Sequence, residues 1–424
     1  MTVQVPSLIF FLTILSLTLY DARRLKTIIT PFTVAAWPFA IISLVTNFLL
    51  GYLQFPPMTM RVHAFILINL VIMWLVGYVF SNVYRIKGVT TLSIDIKSIF
   101  KPFVRYQFFL MTLSIILSSI IFYKVYSLIN QFGGWWFFGD ERFEEMMIVG
   151  PVAHMVQVAK ICFLLLFFIY PHSKRKFFII ITLAGLLISI AFLQVKYHLI
   201  WLMIIGFLYL NLPKNLSEQM KGVGKLSLLI FLMMNAFWIS MTFAWGTFSL
   251  QNEGVRDYLI NNSINYFVSG PILLDRWLDW SGIKPDWTLL VVFMNIFKIL
   301  MGDPSRIDLI PYVSHGFLET APGLTSNIGT SFGLYYMIGG YPFTVFMTTT
   351  LACLSYLFYF LSYTKKGPII LFLNFIFLTL CMMSFYGQYF TTISLYEMSA
   401  IFILFIFTFQ IFNTIYSRKD STPL

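Results

Sequence analysis

Residues 62–83 read VHAFILINLVIMWLVGYVFSNV, a run without a single Asp, Glu, Lys or Arg. About 20 apolar residues are enough for a helix to cross the ~30 Å hydrocarbon core of a bilayer. Runs of this kind recur along the chain, so the sequence predicts an all-α polytopic membrane protein with about eleven transmembrane helices. These helices are predicted at 4–20, 28–52, 62–83, 106–128, 151–170, 177–195, 199–213, 226–247, 332–362, 368–388 and 397–416.

The composition of the whole chain favours lipid as its solvent. Its 424 residues are 59% hydrophobic and 11% charged, whereas soluble domains are about 25% charged. Cys162, Cys353 and Cys381 fall inside apolar spans and lack the spacing of a metal site. No basic segment precedes residues 6–20, so we interpret them as the first membrane helix and not as a cleavable signal peptide.

The charges of the connecting segments predict the orientation. One alternating set is rich in Lys and Arg, whereas the other holds most of the 17 acidic residues. The positive-inside rule places the basic set and the C-terminus in the cytoplasm, and the N-terminus on the outer face. The net charge of +11 is explained by this bias and does not predict a nucleic-acid partner. The basic set comprises 23–26, 85–105, 174–176, 214–225, 365–366 and 418–419.

Two outer connections divide the chain. Residues 1–247 form the N-terminal membrane helices with a small outer loop at 129–150. Residues 248–331 form a large outer loop, in which 289–301 is apolar but too short to span, so short interfacial helices are predicted there. Residues 332–424 form the C-terminal helices and a cytoplasmic tail.

Charges near the membrane bear on function. The predicted spans contain almost no acids, and Lys124 and Lys160 are predicted to lie near enough to a helix end to snorkel. Ion-coupled transporters usually carry buried carboxylates, which disfavours that class. Outer-face arginines predict a pyrophosphate ligand, because one guanidinium group can donate two parallel hydrogen bonds to phosphate oxygens. The alternative is that each of these cations only balances the charge of an adjacent acid. The outer cations are Arg142, Lys196, Arg256, Arg276, Lys284, Lys298 and Arg306.

Motifs of metal and nucleotide chemistry are missing from the sequence. It has no D-x-D pair, no H-E-x-x-H and no G-x-x-x-x-G-K-[ST]. The remaining pattern fits a reaction on a lipid-linked substrate that needs neither a metal nor a cofactor.

Several segments resemble the bacterial O-antigen polymerases. Tyr266-x-x-x-Gly270-Pro271 is similar to a motif of their large loop, and residues 325–340, TSNIGTSFGLYYMIGG, resemble their return into the membrane. Lys196 stands where many members carry an outward-facing Arg. The chain departs from the family at Met337-Ile338-Gly339, where an Asp often precedes Phe-Gly.

The resemblance implies a GT-C-like glycosyltransferase of the bacterial inner membrane with its active site facing the periplasm. The donor would be a glycan chain on undecaprenyl pyrophosphate, and the acceptor a single lipid-linked repeat unit. Membrane lipids and a chain-length regulator are the further partners expected. The alternatives are an O-antigen ligase, which transfers the glycan to lipid A core, and a lipid-linked oligosaccharide flippase.

Roles follow for particular residues. Arg276 and Arg256 are predicted to clamp the pyrophosphate, assisted by Arg142 and Lys196. Bases for the attacking hydroxyl are sought among Asp275, Glu145, His315 and Glu319. Tyr266, Asn327, Thr330 and Tyr335 are predicted to bind sugar or phosphate, with helix capping as the alternative for Asn327 and Thr330. Sugar stacking or an interfacial aromatic belt is predicted for Trp135, Trp136, Tyr266, Trp277, Trp280 and Trp287.

Overall fold

The computed structural model describes most of the chain. The described residues are 4–49, 54–86, 95–134, 146, 151–192, 196–226, 228–229, 232, 253–278, 291–303, 318–326, 329–365, 367–387 and 393–419.

The described protein is built of α-helices and one short β-hairpin. The helices are α1 (Gln4–Leu25), α2 (Pro31–Leu44), α3 (Met60–Ile86), α4 (Ile96–Phe100), α5 (Gln107–Gln131), α6 (Pro151–Ile169), α7 (Lys176–Ala191), α8 (Lys196–Asn211), α9 (216–226), α10 (Glu253–Leu278), α11 (Val291–Leu300), α12 (Ser331–Lys365), α13 (Pro368–Met382) and α14 (Ile393–Lys419). The strands are β1 (Leu318–Ala321) and β2 (Leu324–Ser326).

Eight segments of the described chain are long and apolar enough to cross a membrane: α1, α2, α3, α4 with α5, α6, α12, α13 and α14. Two more apolar helices, α7 and α8, are shorter, with 16 residues each. The chain is therefore a multi-pass membrane protein. The predicted span at 226–247 falls largely outside the described residues.

Helix α1 is longer than predicted and contains an acid. Asp21, which the sequence placed in a cytoplasmic connection, lies inside α1 and is only 6% exposed. The indole nitrogen of Trp74 on α3 donates a hydrogen bond of 3.2 Å to its Oδ1. Helix α1 therefore continues past the predicted span at 4–20 and includes this acid near its end.

Helix α12 is broken near its start. Gly339 and Gly340 leave helical geometry, and Gly340 has φ of +68°, which favours glycine because a side chain would clash there. A short outer piece, residues 331–338, thus precedes the long spanning piece. The spanning piece packs against α3 and α13, which joins the N-terminal and C-terminal helices in one bundle.

The large loop at 248–331 contains more regular structure than the sequence predicted. Helix α10 has 26 residues and continues through Pro271. Helix α11 has ten residues, in agreement with a segment too short to span. Strands β1 and β2 pair antiparallel, with Leu318 opposite Ser326. Helix α10 contacts α2, α3, α12 and the hairpin, so it rests on the end of the bundle where α3 and α12 begin. We call this end the outer end, because the positive-inside rule predicts that it faces away from the cytoplasm.

Candidate functional site

Helix α10 is held against the outer end of the bundle by close backbone approaches. A Cβ on Gly270 would lie 2.5 Å from the carbonyl oxygen of Phe385, in the turn that follows α13. Trp277, on the last turn of α10, packs so tightly on Gly329 that a side chain would not fit there. The glycines of the two family-like segments therefore make room for the contact between α10 and the start of α12.

The β-hairpin is attached to the same helix. Asn265 on α10 is buried, and its Nδ2 donates a hydrogen bond of 3.1 Å to the carbonyl oxygen of Thr325. The hydroxyl of Thr320 donates a hydrogen bond of 2.6 Å to Oδ1 of the same amide. A single side chain thus bonds to both strands and sets the hairpin on α10.

The last turn of α10 meets the first turn of α3, and this junction is the centre of the candidate site. The hydroxyl of Thr59 donates a hydrogen bond of 2.6 Å to Oδ1 of Asp275. The guanidinium group of Arg61 donates to the backbone carbonyl of Leu278. Arg276, the residue of α10 after Asp275, is exposed. Two arginines and one carboxylate therefore belong to one small outer region, which we call the arginine corner (Arg61, Asp275 and Arg276).

A buried histidine, His63, is hydrogen-bonded to the segment that carries Thr59. Nδ1 of His63 lies 2.7 Å from the carbonyl oxygen of Thr59, and since a carbonyl only accepts, this nitrogen donates. Nε2 lies 2.7 Å from the hydroxyl of Ser43 on α2 and 3.2 Å from that of Ser7 on α1. These bonds fix Thr59, whose hydroxyl orients Asp275.

A pair of aromatic rings joins α10 to the turn that follows α13. The rings of Tyr266 and Tyr386 lie 4.9 Å apart at an interplanar angle of 39°. The hydroxyl of Ser331 donates a hydrogen bond of 2.5 Å to the carbonyl oxygen of Gly387, which ties the tyrosine turn to the start of α12. Tyr266 is half-buried, as a residue that contacts a sugar face would be.

Three predicted contact residues occupy interior positions. Thr330 is fully buried, and its hydroxyl accepts a hydrogen bond of 2.9 Å from the backbone N–H of Gly333, so it caps α12. Tyr335 is 1% exposed and packs with Ile338, and Trp277 is 4% exposed. Burial argues against direct sugar contact for all three, and it favours the capping alternative for Thr330.

Glu319, a predicted base, lies exposed on β1, and its Oε1 accepts a hydrogen bond of 3.3 Å from the backbone N–H of Gly323. The remaining predicted clamp, base and substrate-binding residues lie outside the described part of the chain, in whole or in side chain. Arg142, Glu145, His315 and Asn327 lie outside the described residues. Lys196 begins α8 and Arg256 lies in the first turns of α10, and for these two the structure describes the backbone alone. Of the four predicted cations of the clamp, Arg276 is the one whose side chain the described structure contains.

A second polar cluster lies between α6, α8 and α14. Nζ of Lys160 is 3.1 Å from Nδ1 of His198, and both side chains are buried. Nδ1 of His154 is 2.7 Å from Oε1 of Glu397, whose carboxylate also attracts the charge of Lys160. Between them, Gln157 is 5% exposed. We call these five residues the lysine cluster.

The lysine cluster corrects the prediction for Lys160. This side chain was expected to snorkel towards water, but it is 1% exposed and lies nine residues into α6. At ~1.5 Å per residue it sits about 14 Å from the start of that helix. Ionisable groups at such depth are costly and usually serve a function.

The residues that sequence reasoning missed share one feature. Arg61, His63 and His198 stand at the ends of predicted spans, where a charge is normally taken as a boundary marker. No signal in the sequence links Thr59 to Asp275, which lies 216 residues away. Within the described ranges, no three His, Cys, Asp or Glu side chains are grouped so that they could hold a metal ion.

The fold and the site together define a multi-pass α-helical membrane protein with polar groups gathered at one end of its helices. The chain belongs to the family of unknown function DUF6337, whose model matches residues 55–414. No curated protein and no solved structure matches it.

Proposed function

We propose that this protein is a surface-polysaccharide polymerase of the bacterial inner membrane, with a GT-C-like arrangement of helices. It transfers a glycan chain from undecaprenyl pyrophosphate to a lipid-linked repeat unit at the periplasmic face. The observation that carries the proposal is the arginine corner. Arg276 is exposed there, and Arg61 reaches the carbonyl of Leu278, two residues further along α10.

The proposed glycosyl transfer requires cationic side chains at the membrane depth of the lipid head group. The acceptor hydroxyl oxygen attacks the anomeric carbon of the donor, the bond from that carbon to the pyrophosphate oxygen breaks, and the pyrophosphate leaves with the bonding electrons. Negative charge grows on the departing oxygen, and guanidinium groups stabilise it. Asp275 is our candidate to take the hydroxyl proton, because Thr59 already orients its carboxylate.

Two further features support the proposal. Tyr266 and Tyr386 offer aromatic faces on which sugars stack. The lysine cluster adds a positive group in the outer half of the helix bundle, near the start of α8, where Lys196 also stands. Arg142, Arg256, His315 and Glu145 remain predictions for the same site.

The experiment is a purified reaction of the full chain with lipid-linked repeat units, read as glycan length. We expect oligomers from the unaltered protein, and a loss of about 10²–10³ in rate for Arg61→Ala or Arg276→Ala. The matched control is Lys298→Ala, which removes an outer cation that Asp303 already pairs at 3.4 Å. Normal oligomer yield from both arginine variants, or equal losses in all three, would refute the clamp.

A flippase is the second candidate, and a specific observation favours it. Asp21 and the lysine cluster place ionisable side chains inside membrane helices, which transporters commonly do. Deletion of the gene distinguishes the candidates. A missing polymerase leaves single repeat units on the lipid A core, a missing ligase leaves none, and a missing flippase traps lipid-linked units in the cytoplasmic leaflet.

A further inference from the structure

A long apolar groove runs along α8. It has a volume of about 1020 Å³ and is bordered by α6, α7, α8 and α9. Its apolar lining includes Phe163, Phe167, Leu187, Ile188, Leu202 and Leu210.

The groove has the length and the openness that a lipid chain needs. It extends along α8 from Leu199 to Asn211, which is about 18 Å at ~1.5 Å per residue. One leaflet contributes about half of the ~30 Å hydrocarbon core, so the groove is longer than one leaflet is deep. Ile188 and Leu210 are 50% and 47% exposed, so the lining faces the membrane.

One end of the groove is basic. Lys214, Lys221 and Lys225 line it and are exposed, whereas Glu218 is the one acid among its lining residues. Nζ of Lys214 donates a hydrogen bond of 3.1 Å to Oδ1 of Asn211, the last residue of α8. The positive charge therefore lies where the apolar part of the groove ends.

The basic end lies on the predicted cytoplasmic face. Oε1 of Gln219 on α9 accepts hydrogen bonds of 2.9 Å from the hydroxyl of Thr27 and 3.0 Å from the backbone N–H of Ile28. Both donors belong to the connection between α1 and α2, which follows the basic residues Arg23 and Arg24. Helix α9 is thus fastened to the face that carries the basic loops.

We propose that the groove is a binding site for one phospholipid with a net negative head group, drawn from the cytoplasmic leaflet. Its acyl chain lies along α8, and its phosphate group contacts Lys214, Lys221 and Lys225. Charge complementarity selects this occupant, because a zwitterionic lipid presents no net charge to three lysines. The site is separate from the arginine corner, so the proposal does not depend on the glycosyltransferase activity.

The head-group arm of the test uses the full chain, purified and titrated with phosphatidylglycerol or phosphatidylcholine, with bound lipid counted by native mass spectrometry. We expect selective retention of phosphatidylglycerol. Each lysine near an anionic group contributes about fivefold to affinity, so replacing Lys214, Lys221 and Lys225 by Gln should lower it ~100-fold. The control removes three exposed cytoplasmic-side lysines outside the groove by replacing Lys97, Lys101 and Lys174 with Gln.

The acyl-chain arm fills the groove. Gly206 lines it, and a Cβ there would lie 3.5 Å from the ring of Phe167, an ordinary contact, so Gly206→Ala should fold and bind lipid normally. Gly206→Leu should place its longer side chain in the groove and reduce lipid retention at least tenfold. Equal retention of the two lipids, equal losses in both lysine triples, or full retention by Gly206→Leu would overturn the proposal; the last result would mean that another part of the chain covers the groove.

Discussion

Replacing Gly270 by Ala would bring a methyl group to 2.5 Å from the carbonyl oxygen of Phe385. The oxygen belongs to a backbone turn, so it cannot swing aside as the tip of a side chain would. Helix α10 must therefore shift by several tenths of an ångström, and with it Tyr266 and Arg276.

The size of the effect follows from a matched glycine. Gly185 lies in α7, and a Cβ there would meet nothing within 4 Å. In both helices the change to Ala gains about 1 kcal/mol of helix propensity. The difference between the two variants is then the cost of overpacking, about 1–3 kcal/mol, together with the steric restriction that Pro271 places on a preceding residue that carries a Cβ. We expect Gly270→Ala to be less stable than Gly185→Ala by that amount.

The assay is equilibrium unfolding of both purified variants in mixed micelles, followed by glycan length in cells. Gly270→Ala should also shorten the glycan ladder, because α10 carries the exposed arginine of the corner, whereas Gly185→Ala should leave it normal. If the two variants unfold at the same denaturant concentration, the close approach of α10 to the turn at Phe385 does not exist and the reasoning fails.

Three further changes test other parts of the structure. Thr330→Ala removes the cap that bonds to Gly333 and should cost about 1 kcal/mol of unfolding free energy. Gly340→Ala places a side chain at φ of +68° and ψ of −161° and should cost about 1–3 kcal/mol, measured in the same way. Lys160→Met fills the same buried space without a charge, so unfolding free energy should fall by no more than ~1 kcal/mol. Glycan polymerisation should be lost, since the proposed site then lacks the positive group of the lysine cluster.

The first two of these changes have a control in the chain. Thr349→Ala removes an exposed hydroxyl that bonds only to Val345 within its own helix, so it should be near neutral where Thr330→Ala is not. Gly224→Ala meets open space in α9 and should not destabilise. Unchanged polymerisation in Lys160→Met would remove the lysine cluster from the proposed site.

Hydropathy was sufficient to locate most of the membrane helices. Helix α6 runs over Pro151–Ile169 where 151–170 was predicted, and α13 begins at Pro368 as expected. Lipid leaves a spanning segment few options, because its backbone must satisfy its own hydrogen bonds and its side chains must be apolar. The hydropathy of a spanning helix is therefore a local property of the sequence, and it does not depend on which other helices pack against it.

The elements that hydropathy missed are those whose partners lie far away in the chain. Helix α10 has a mixed composition and an internal Pro271, and it rests on the Phe385 turn and on a hairpin that begins at Leu318. Lys160 was misjudged for a related reason. A single sequence shows the depth of a residue in a helix, but it does not show which neighbouring helix covers that side.

The two short helices α7 and α8 have a consequence for the thickness of the surrounding bilayer. Sixteen residues span about 24 Å, some 6 Å less than the ~30 Å hydrocarbon core. The bilayer relieves such hydrophobic mismatch by thinning next to the pair, at a fraction of a kcal/mol per ångström. The water boundary therefore dips beside the pair, and a head group that approaches His198 has less hydrocarbon to cross before it meets the buried Lys160.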